Sequence, residues 1–203
     1  SLNFVSSITE AQSYPGIGTS GRTIGQFRED SQGTSIQTNH TTPDVLETLG
    51  IKLLAGKIFT EKTSKEDTMV QLVVNKTTVD FLGMTPEEAI GQTAFNTFGY
   101  DRATIVGVMG DFHFENFHQP ITAYAFHNNT SERRQNLLIR FDGGALSENM
   151  KTLEAGFQKF IPTSAFEYTF LDDVVAKLYV SEKQIGRIVL FFSVTAILIA
   201  CLG

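Results

Sequence analysis

The end of the chain constrains its architecture more than any other stretch. Residues 188–203 read IVLFFSVTAILIACLG, and their only polar side chains, Ser193 and Thr195, are of types that bond back to their own helix. A helix that is apolar on every side has no face for water, so it lies in a core or in a membrane. Roughly 16 residues make a helix about 24 Å long, whereas a hydrocarbon core asks for about 20 residues. We predict that residues 187–203 start a truncated transmembrane helix; the alternative is a buried C-terminal helix.

The rest of the chain, residues 1–186, is predicted to be a water-facing domain tethered to that membrane segment. The protein has 203 residues, 41% of them hydrophobic, which is enough for one sizeable core or two small ones. Its net charge of -6 argues against a nucleic-acid binder, which would carry a basic stripe. The single cysteine, Cys201, lies in the apolar run, so the sequence has no disulfide framework and no cysteine-based metal site.

Strand and helix patterns alternate along residues 1–186, which predicts an α+β fold with a sheet on one side and helices on the other. Strands are predicted at residues 4–12, 35–41, 69–74, 93–98, 102–109, 136–141 and 165–170. The strand at 102–109 is predicted to continue through residues 111–115. Helices are predicted from Thr42, at residues 76–82, from Thr85, at residues 145–160 and from Asp172.

Two of these helices carry explicit start signals. Thr42 is the expected N-cap of the first, with Pro43 at its first position and Gly50 as its stop. Thr85 and Pro86 repeat the same cap-and-proline start for a short helix further along the chain. Both helices are therefore predicted from local signals alone.

The two C-terminal helices are predicted from hydrophobic spacing. In residues 145–160, apolar side chains recur at helical spacing, namely Leu146, Met150, Leu153, Phe157 and Phe160. The helix that starts at Asp172 meets no breaker stronger than Gly186 before the apolar run. We therefore predict one long helix that continues from the domain into the bilayer.

The densest group of side chains with chemical potential is the segment Asp111-Phe112-His113-Phe114-Glu115, with His118 and His127 nearby. In an extended segment Asp111, His113 and Glu115 share one face, and such groups bind zinc or transfer protons. The competing interpretation is a sheet-edge strand whose phenylalanines lie in the core. Because the sequence has no HExxH motif and no second ligand pair, we predict no catalytic residue, no metal site and no cofactor.

Three further types of motif define no binding site in this sequence. Asn39, Asn75 and Asn128 each begin an Asn-X-Thr triplet, a glycosylation pattern that is common by chance. The glycine-rich residues 16–21 (GIGTSG) lack the GxxxxGK[ST] pattern of a phosphate-binding loop. No GxSxG nucleophile motif occurs in the chain.

Several blocks, taken in order, resemble the extracytoplasmic core domain of MacB/FtsX-like ABC transporter permeases. The first is residues 43–59 (PDVLETLGIKLLAGKIF), with a helix, a glycine and then LLAG-x-x-F. Residues 105–108 (IVGV), followed by 111–114 (DFHF), form the most recognisable block. Further matching blocks are residues 73–75, 82–83, 90–91, 119–121, 166–173, 178–179 and 188–203.

The resemblance implies a two-lobed periplasmic domain, with a porter-like α/β lobe, a β-rich lobe and a long C-terminal helix that enters the inner membrane of a Gram-negative bacterium. It implies a permease subunit, and a homodimer, that couples ATP hydrolysis by a partner ABC ATPase to export or mechanical work, with a periplasmic adaptor or substrate protein as a further partner. It carries over no catalytic residue, and we predict no enzyme activity. Lys177, Lys183 and Arg187 precede the apolar run and, by the positive-inside tendency, argue against this placement.

Two other functions remain open at the level of sequence. One is a membrane-tethered ligand-sensing or ligand-binding domain of a signalling protein, which would share the tether and the α+β fold. The other is a membrane-anchored metal hydrolase that uses Asp111, His113 and His118. The full-length gene separates the first from a permease, and zinc stoichiometry tests the second.

Overall fold

A computed structural model describes residues 3–17, 20–24, 34–61, 69–97, 100–114, 120–129 and 133–174, together with residues 176, 192, 193, 196 and 200. The strands in these ranges are β1 (Val5–Ala11), β2 (Ser20–Ile24), β3 (Thr34–His40), β4 (Leu53–Gly56), β5 (Met69–Asn75), β6 (Thr93–Thr97), β7 (Tyr100–Met109), β8 (Tyr124–His127) and β9 (Asn136–Phe141). The helices are α1 (Val45–Leu49), α2 (Lys76–Phe81), α3 (Pro86–Ala89) and α4 (Leu146–Phe160). The predicted α+β fold is confirmed.

A large mixed sheet has the strand order β2-β3-β8-β5-β7-β4, with β6 also paired to β7. Strand β5 lies at its centre, parallel to β7 and antiparallel to β8. Its apolar side chains alternate between the two faces, so that Val70, Leu72 and Val74 enter one core and Val73 enters the other. A strand that is buried on both faces reads as a continuous hydrophobic run, which is why its sequence (MVQLVV) predicted it well.

Strands β1 and β9 form a separate antiparallel sheet of two strands. Backbone hydrogen bonds join β1 to the large sheet, from Gln12 N to His40 O (2.9 Å) and from Thr42 N to Glu10 O (3.0 Å). Helix α1 contacts this small sheet through the hydroxyls of Ser7 and Thr48, which lie 2.6 Å apart. The junction between the two sheets therefore runs along β1 and the end of β3.

Each face of the large sheet carries its own hydrophobic core. On the first face, α2 and α3 cover a core formed by Ile36, Val70, Leu72, Val74, Val79, Ala89, Ala103, Ile105, Val108 and Ala125. On the second, α1 and the chain after β7 cover a core formed by Val45, Leu46, Phe59, Val73, Met109, Phe114, Tyr124 and Phe126. The sheet is thus sandwiched between helices on one side and mixed structure on the other.

The prediction that Thr42 caps α1 is wrong. The N-cap is Asp44, which makes no side-chain cap hydrogen bond. The Thr42 hydroxyl lies 2.7 Å from the Thr9 hydroxyl and accepts a hydrogen bond from Glu10 N (3.1 Å). Because Thr42 directly follows β3 beside β1, bonds to the neighbouring strand replace the local cap. The predicted stop at Gly50 is confirmed, with a left-handed φ of 71°.

Two predicted strand segments do not form. Strand β7 ends at Met109, and residues 110–114 belong to no strand, because its neighbour β5 ends opposite Met109 and the chain turns into α2. Residues 165–170 form no strand and do not pair in a sheet. Their aromatic rings contact one another in turn, with Phe166 and Tyr168 tilted at a centroid distance of 5.6 Å and Tyr168 and Phe170 edge-to-face at 5.3 Å.

The predicted membrane segment, residues 187–203, lies outside the described residues apart from four single positions, as do most of the predicted C-terminal helix and the boundary at residue 186. In the described part of the chain, no helix combines the length and the apolar character that crossing a bilayer requires. The division into two lobes likewise stays a prediction.

Helix α3 begins with the predicted cap, completed by a second bond. The Thr85 hydroxyl accepts from Glu88 N and the Glu88 carboxylate accepts from Thr85 N, which together form a capping box. We expect Thr85→Ala to lower the free energy of unfolding by about 1 kcal/mol in urea titrations. The exposed neighbour Glu87, changed to alanine, is the control and should cost about 0.5 kcal/mol or less. Equal effects of the two changes would contradict a role for the cap.

Candidate functional site

The structure separates the acidic and histidine side chains that lie close together in the sequence. Asp111 is exposed and its carboxylate accepts a hydrogen bond from Thr77 N (2.9 Å), in the first turn of α2, where a negative charge is favourable. His127 pairs with Leu72 in β5, whereas Asp111 lies beyond Met109, which pairs with the last residue of that strand. The two side chains therefore sit at different heights of the sheet.

The remaining candidates do not restore a metal site. His113 is half-buried, and Glu115 and His118 lie outside the described residues. Within the ranges that the structure covers, no three His, Cys, Asp or Glu side chains come close enough together to hold a metal ion. Of this cluster, Asp111 contacts α2, through the hydrogen bond from Thr77 N.

Phe112 and Phe114, the apolar members of the predicted cluster, belong to an aromatic cluster on the second face of the sheet. The Phe112 ring stacks on Phe126 with centroids 5.7 Å apart, and Phe114 contacts Tyr124 at 4.8 Å. The interpretation that these phenylalanines lie in the core is therefore confirmed. Through Tyr124 and Phe126 the cluster is fixed to β8, next to the centre of the large sheet.

The aromatic cluster is linked through Gly16 to residues 171–174, which are the first residues of the predicted C-terminal helix. Residues 171–174 form a helical turn, in which Val174 N bonds to Phe170 O (3.2 Å). Gly16 donates its N–H to Phe114 O (2.7 Å), and a Cβ placed on Gly16 would lie 2.1 Å from Val174 Cγ1. Gly16 also has a φ of +95°, a backbone conformation that residues with a side chain rarely adopt. We call Gly16, Phe114 and Val174 the helix junction.

A second site, which the sequence analysis did not find, lies where the two sheets meet. The rings of His40 and His127 stack in parallel with centroids 5.6 Å apart, at the paired ends of β3 and β8. Arg134 lies beside them and forms ion pairs with Glu10 and with Glu61, each at 2.9 Å. These five residues are called the polar seam. The spacing of its members along the chain gives no local signal.

Burial controls the charge of the polar seam. His40 is 3% exposed, and desolvation, aided by the positive charge of Arg134, lowers its pKa from 6.5 to about 4. Glu61 and Glu10 oppose this shift but do not outweigh it. His40 is therefore neutral at pH 7, and its imidazole packs against His127 without charge.

The three Asn-X-Thr asparagines are buried and act as structural fasteners. Asn128 accepts from Gln71 N (2.9 Å) and donates to Thr60 O (2.8 Å), and Asn39 bonds in the same way to both backbone groups of Ser13. Asn75 caps α2 by accepting from the backbone N–H of its third residue. These amides satisfy backbone groups that have no strand or helix partner. Because they are buried, they are not accessible for glycosylation in the folded chain.

The described chain has the fold of the extracytoplasmic domains of ABC-type transporter proteins, and the resemblance inferred from the sequence is confirmed at that level. It is similar to the periplasmic region of MacB from Actinobacillus actinomycetemcomitans, with a TM-score of 0.52 and 14% identity over 77% of this chain and 68% of that one. A domain of a putative permease from Porphyromonas gingivalis matches with a TM-score of 0.50 and 20% identity, over 77% and 70% of the two chains.

The extracellular domain of YknZ, a noncanonic ABC-type transporter from Gram-positive bacteria, has a TM-score of 0.50 and 11% identity, with 80% of both chains covered. Because this fold occurs in Gram-positive bacteria too, it does not fix the predicted Gram-negative origin. No protein-family model and no curated protein sequence matches the chain.

Proposed function

We propose that this chain is the extracytoplasmic head of an ABC transporter permease, which receives motion from its membrane helices and does no catalysis itself. The observation that carries the proposal is the helix junction, where the C-terminal helix starts in close contact with the folded head. Support also comes from the fold, which recurs in periplasmic or extracellular domains of ABC-type transporters. An ATPase subunit, an inner-membrane position and a second permease copy follow from the proposal.

The helix junction gives a short physical path into the head. Val174 lies so close to Gly16 that no side chain would fit between them. Gly16 is hydrogen-bonded to the backbone of Phe114. Phe114 packs on Tyr124, the first residue of β8. Since close-packed groups transmit displacement rather than absorb it, movement of the helix reaches the middle of the large sheet through three contacts.

The path is tested in the full-length permease bound to its ATPase, with hydrogen exchange of residues 120–127 compared between the ATP-bound and nucleotide-free states. The unmodified complex should show a nucleotide-dependent difference in exchange. In Val174→Ala the Cγ1 methyl group that lies beside Gly16 is gone, and we expect at least a fivefold smaller difference. Val106→Ala, which shortens a half-buried valine of the second core, is the matched control and should retain the difference.

A disulfide between positions 16 and 174 provides the opposite test, because it keeps the two positions in contact. A Cβ on Gly16 would lie 3.5 Å from Val174 Cβ, within the about 3.5–4.5 Å found in disulfides. The pair Gly16→Cys and Val174→Cys, made with Cys201→Ser and oxidised, should retain the nucleotide response. The proposed function would be overturned if hydrogen exchange in the unmodified head did not depend on nucleotide, or if Val174→Ala kept the full nucleotide-dependent difference. It would also be overturned if the gene had no ATPase partner, and that outcome would favour a sensing domain.

A further inference from the structure

The polar seam lies at the only strand-to-strand connection that the described residues make between the two sheets. The bridge between Ala11 and Thr41 joins β1 to the end of β3, next to His40. The bond from Gln12 N to His40 O crosses the same boundary. Whatever changes the packing of His40 therefore acts on the attachment of the small sheet.

Charged groups from three other parts of the chain face His40. Arg134, from the segment before β9, lies close enough to depress its pKa, while Glu10 on β1 and Glu61 after β4 act in the opposite direction. The stacked ring is His127, at the end of β8. Both carboxylates already pair with Arg134. A proton on His40, whose own side chain is buried, would place a second positive charge beside that guanidinium.

We propose that the polar seam is a proton-sensitive latch, which holds the small sheet (β1 and β9) on the large sheet while His40 is neutral and releases it when His40 is protonated. The inference concerns the head itself and does not depend on the proposed function. In an extracytoplasmic position, the latch would make the relative freedom of the two sheets follow the acidity outside the inner membrane.

The direction of the pH effect follows from the two pKa values. The closed seam holds His40 at a pKa of about 4, against 6.5 for an exposed histidine, so the open state binds more protons between these values. Closure is therefore fully favoured above pH 6.5 and weakens as the pH falls. The opening equilibrium should grow about tenfold per pH unit below 6.5, and about 20-fold in all between pH 7 and pH 5.

Hydrogen exchange of the 203-residue protein tests the latch, with rates corrected for the intrinsic effect of pH. The reporters are the amides of Gln12 and Thr42, which bridge β1 and β3, and the reference amides are those of β5. We expect the bridging amides to exchange about 20-fold faster at pH 5 than at pH 7. We also expect this opening to be insensitive to low concentrations of urea, in contrast to the exchange of β5, because little surface is exposed when a latch opens.

Two variants assign the effect to one side chain. His40→Gln should abolish the pH dependence of the bridging amides, whereas His113→Gln, a half-buried histidine near the aromatic cluster, should retain it. NMR titration of the unmodified protein should give His40 a pKa well below 6.5. The proposal is overturned if His40 titrates at 6.5 or above, if His40→Gln keeps the wild-type pH dependence, or if the bridging amides respond to urea as β5 does.

Discussion

Asn75→Ala is expected to lower the free energy of unfolding by about 3 kcal/mol, one of the two largest effects of a single change in this protein. The Asn75 amide is 0% exposed and bonds to two separate parts of the chain, the first turn of α2 and residues 122–124. Its Oδ1 accepts from Thr78 N (3.1 Å) and Tyr124 N (3.0 Å), and its Nδ2 donates to Thr122 O (2.9 Å). Alanine would remove all of these bonds and leave the buried Thr78 N unsatisfied, which alone costs about 1–3 kcal/mol, while Tyr124 N keeps its bond to Thr78 Oγ1 (3.0 Å).

Urea unfolding at pH 7 measures this effect, and Asn149→Ala is the matched control. Asn149 is also buried, but its amide makes one longer bond, from Nδ2 to Gly143 O (3.3 Å), and alanine suits its position in α4. We expect the control to change the free energy of unfolding by about 1 kcal/mol or less. If Asn75→Ala cost no more than the control, the assignment of Asn75 as the fastener of β5, α2 and β8 would be wrong.

Gly107→Ala should destabilise the protein by about 3 kcal/mol, because the strands β4 and β7 approach too closely for a methyl group. A Cβ on Gly107 would lie 2.3 Å from Lys57 O, a backbone atom that cannot move without breaking the bond from Lys57 N to Val106 O (2.9 Å). Its partner in the register, Gly56, is equally constrained, since a Cβ there would lie 2.3 Å from Val106 O.

The control for Gly107 is a glycine with open surroundings. Gly156 lies inside α4 with no atom within 4 Å of its would-be Cβ, so Gly156→Ala should stabilise the protein by about 0.5–1 kcal/mol. Opposite signs for the same chemical change, measured by urea unfolding, would establish the close approach. A Gly107→Ala protein as stable as the parent would show that β4 and β7 can separate at no cost.

Gly56 and Gly107, the two constrained glycines, lie in two of the blocks that carry the sequence resemblance. Gly56 ends the LLAG segment and Gly107 lies in the IVGV segment, and these blocks come from distant parts of the chain. In the structure they are direct partners across β4 and β7. These two blocks of the resemblance thus meet in one close backbone contact.

Local patterns predicted the elements that are decided within a few residues. Strand β5 is apolar apart from Gln71 and Asn75, the stop of α1 is a glycine, and α3 begins with a threonine, a proline and a glutamate. Each pattern acts through the chain's own neighbours, so the sequence suffices. The same holds for the assignment of Phe112 and Phe114 to a core, since phenylalanine is among the residue types most often found buried.

Other features were decided only when distant segments met. The Thr42 hydroxyl bonds to β1 instead of capping α1, and residues 165–170 form contacts between their aromatic rings instead of pairing as a strand. No sequence pattern connects His40 with His127, and they become a stacked pair only because β3 and β8 are parallel and in register. Periodicity and caps are properties of a few consecutive residues, whereas pairing, burial and the resulting pKa depend on which strands lie side by side.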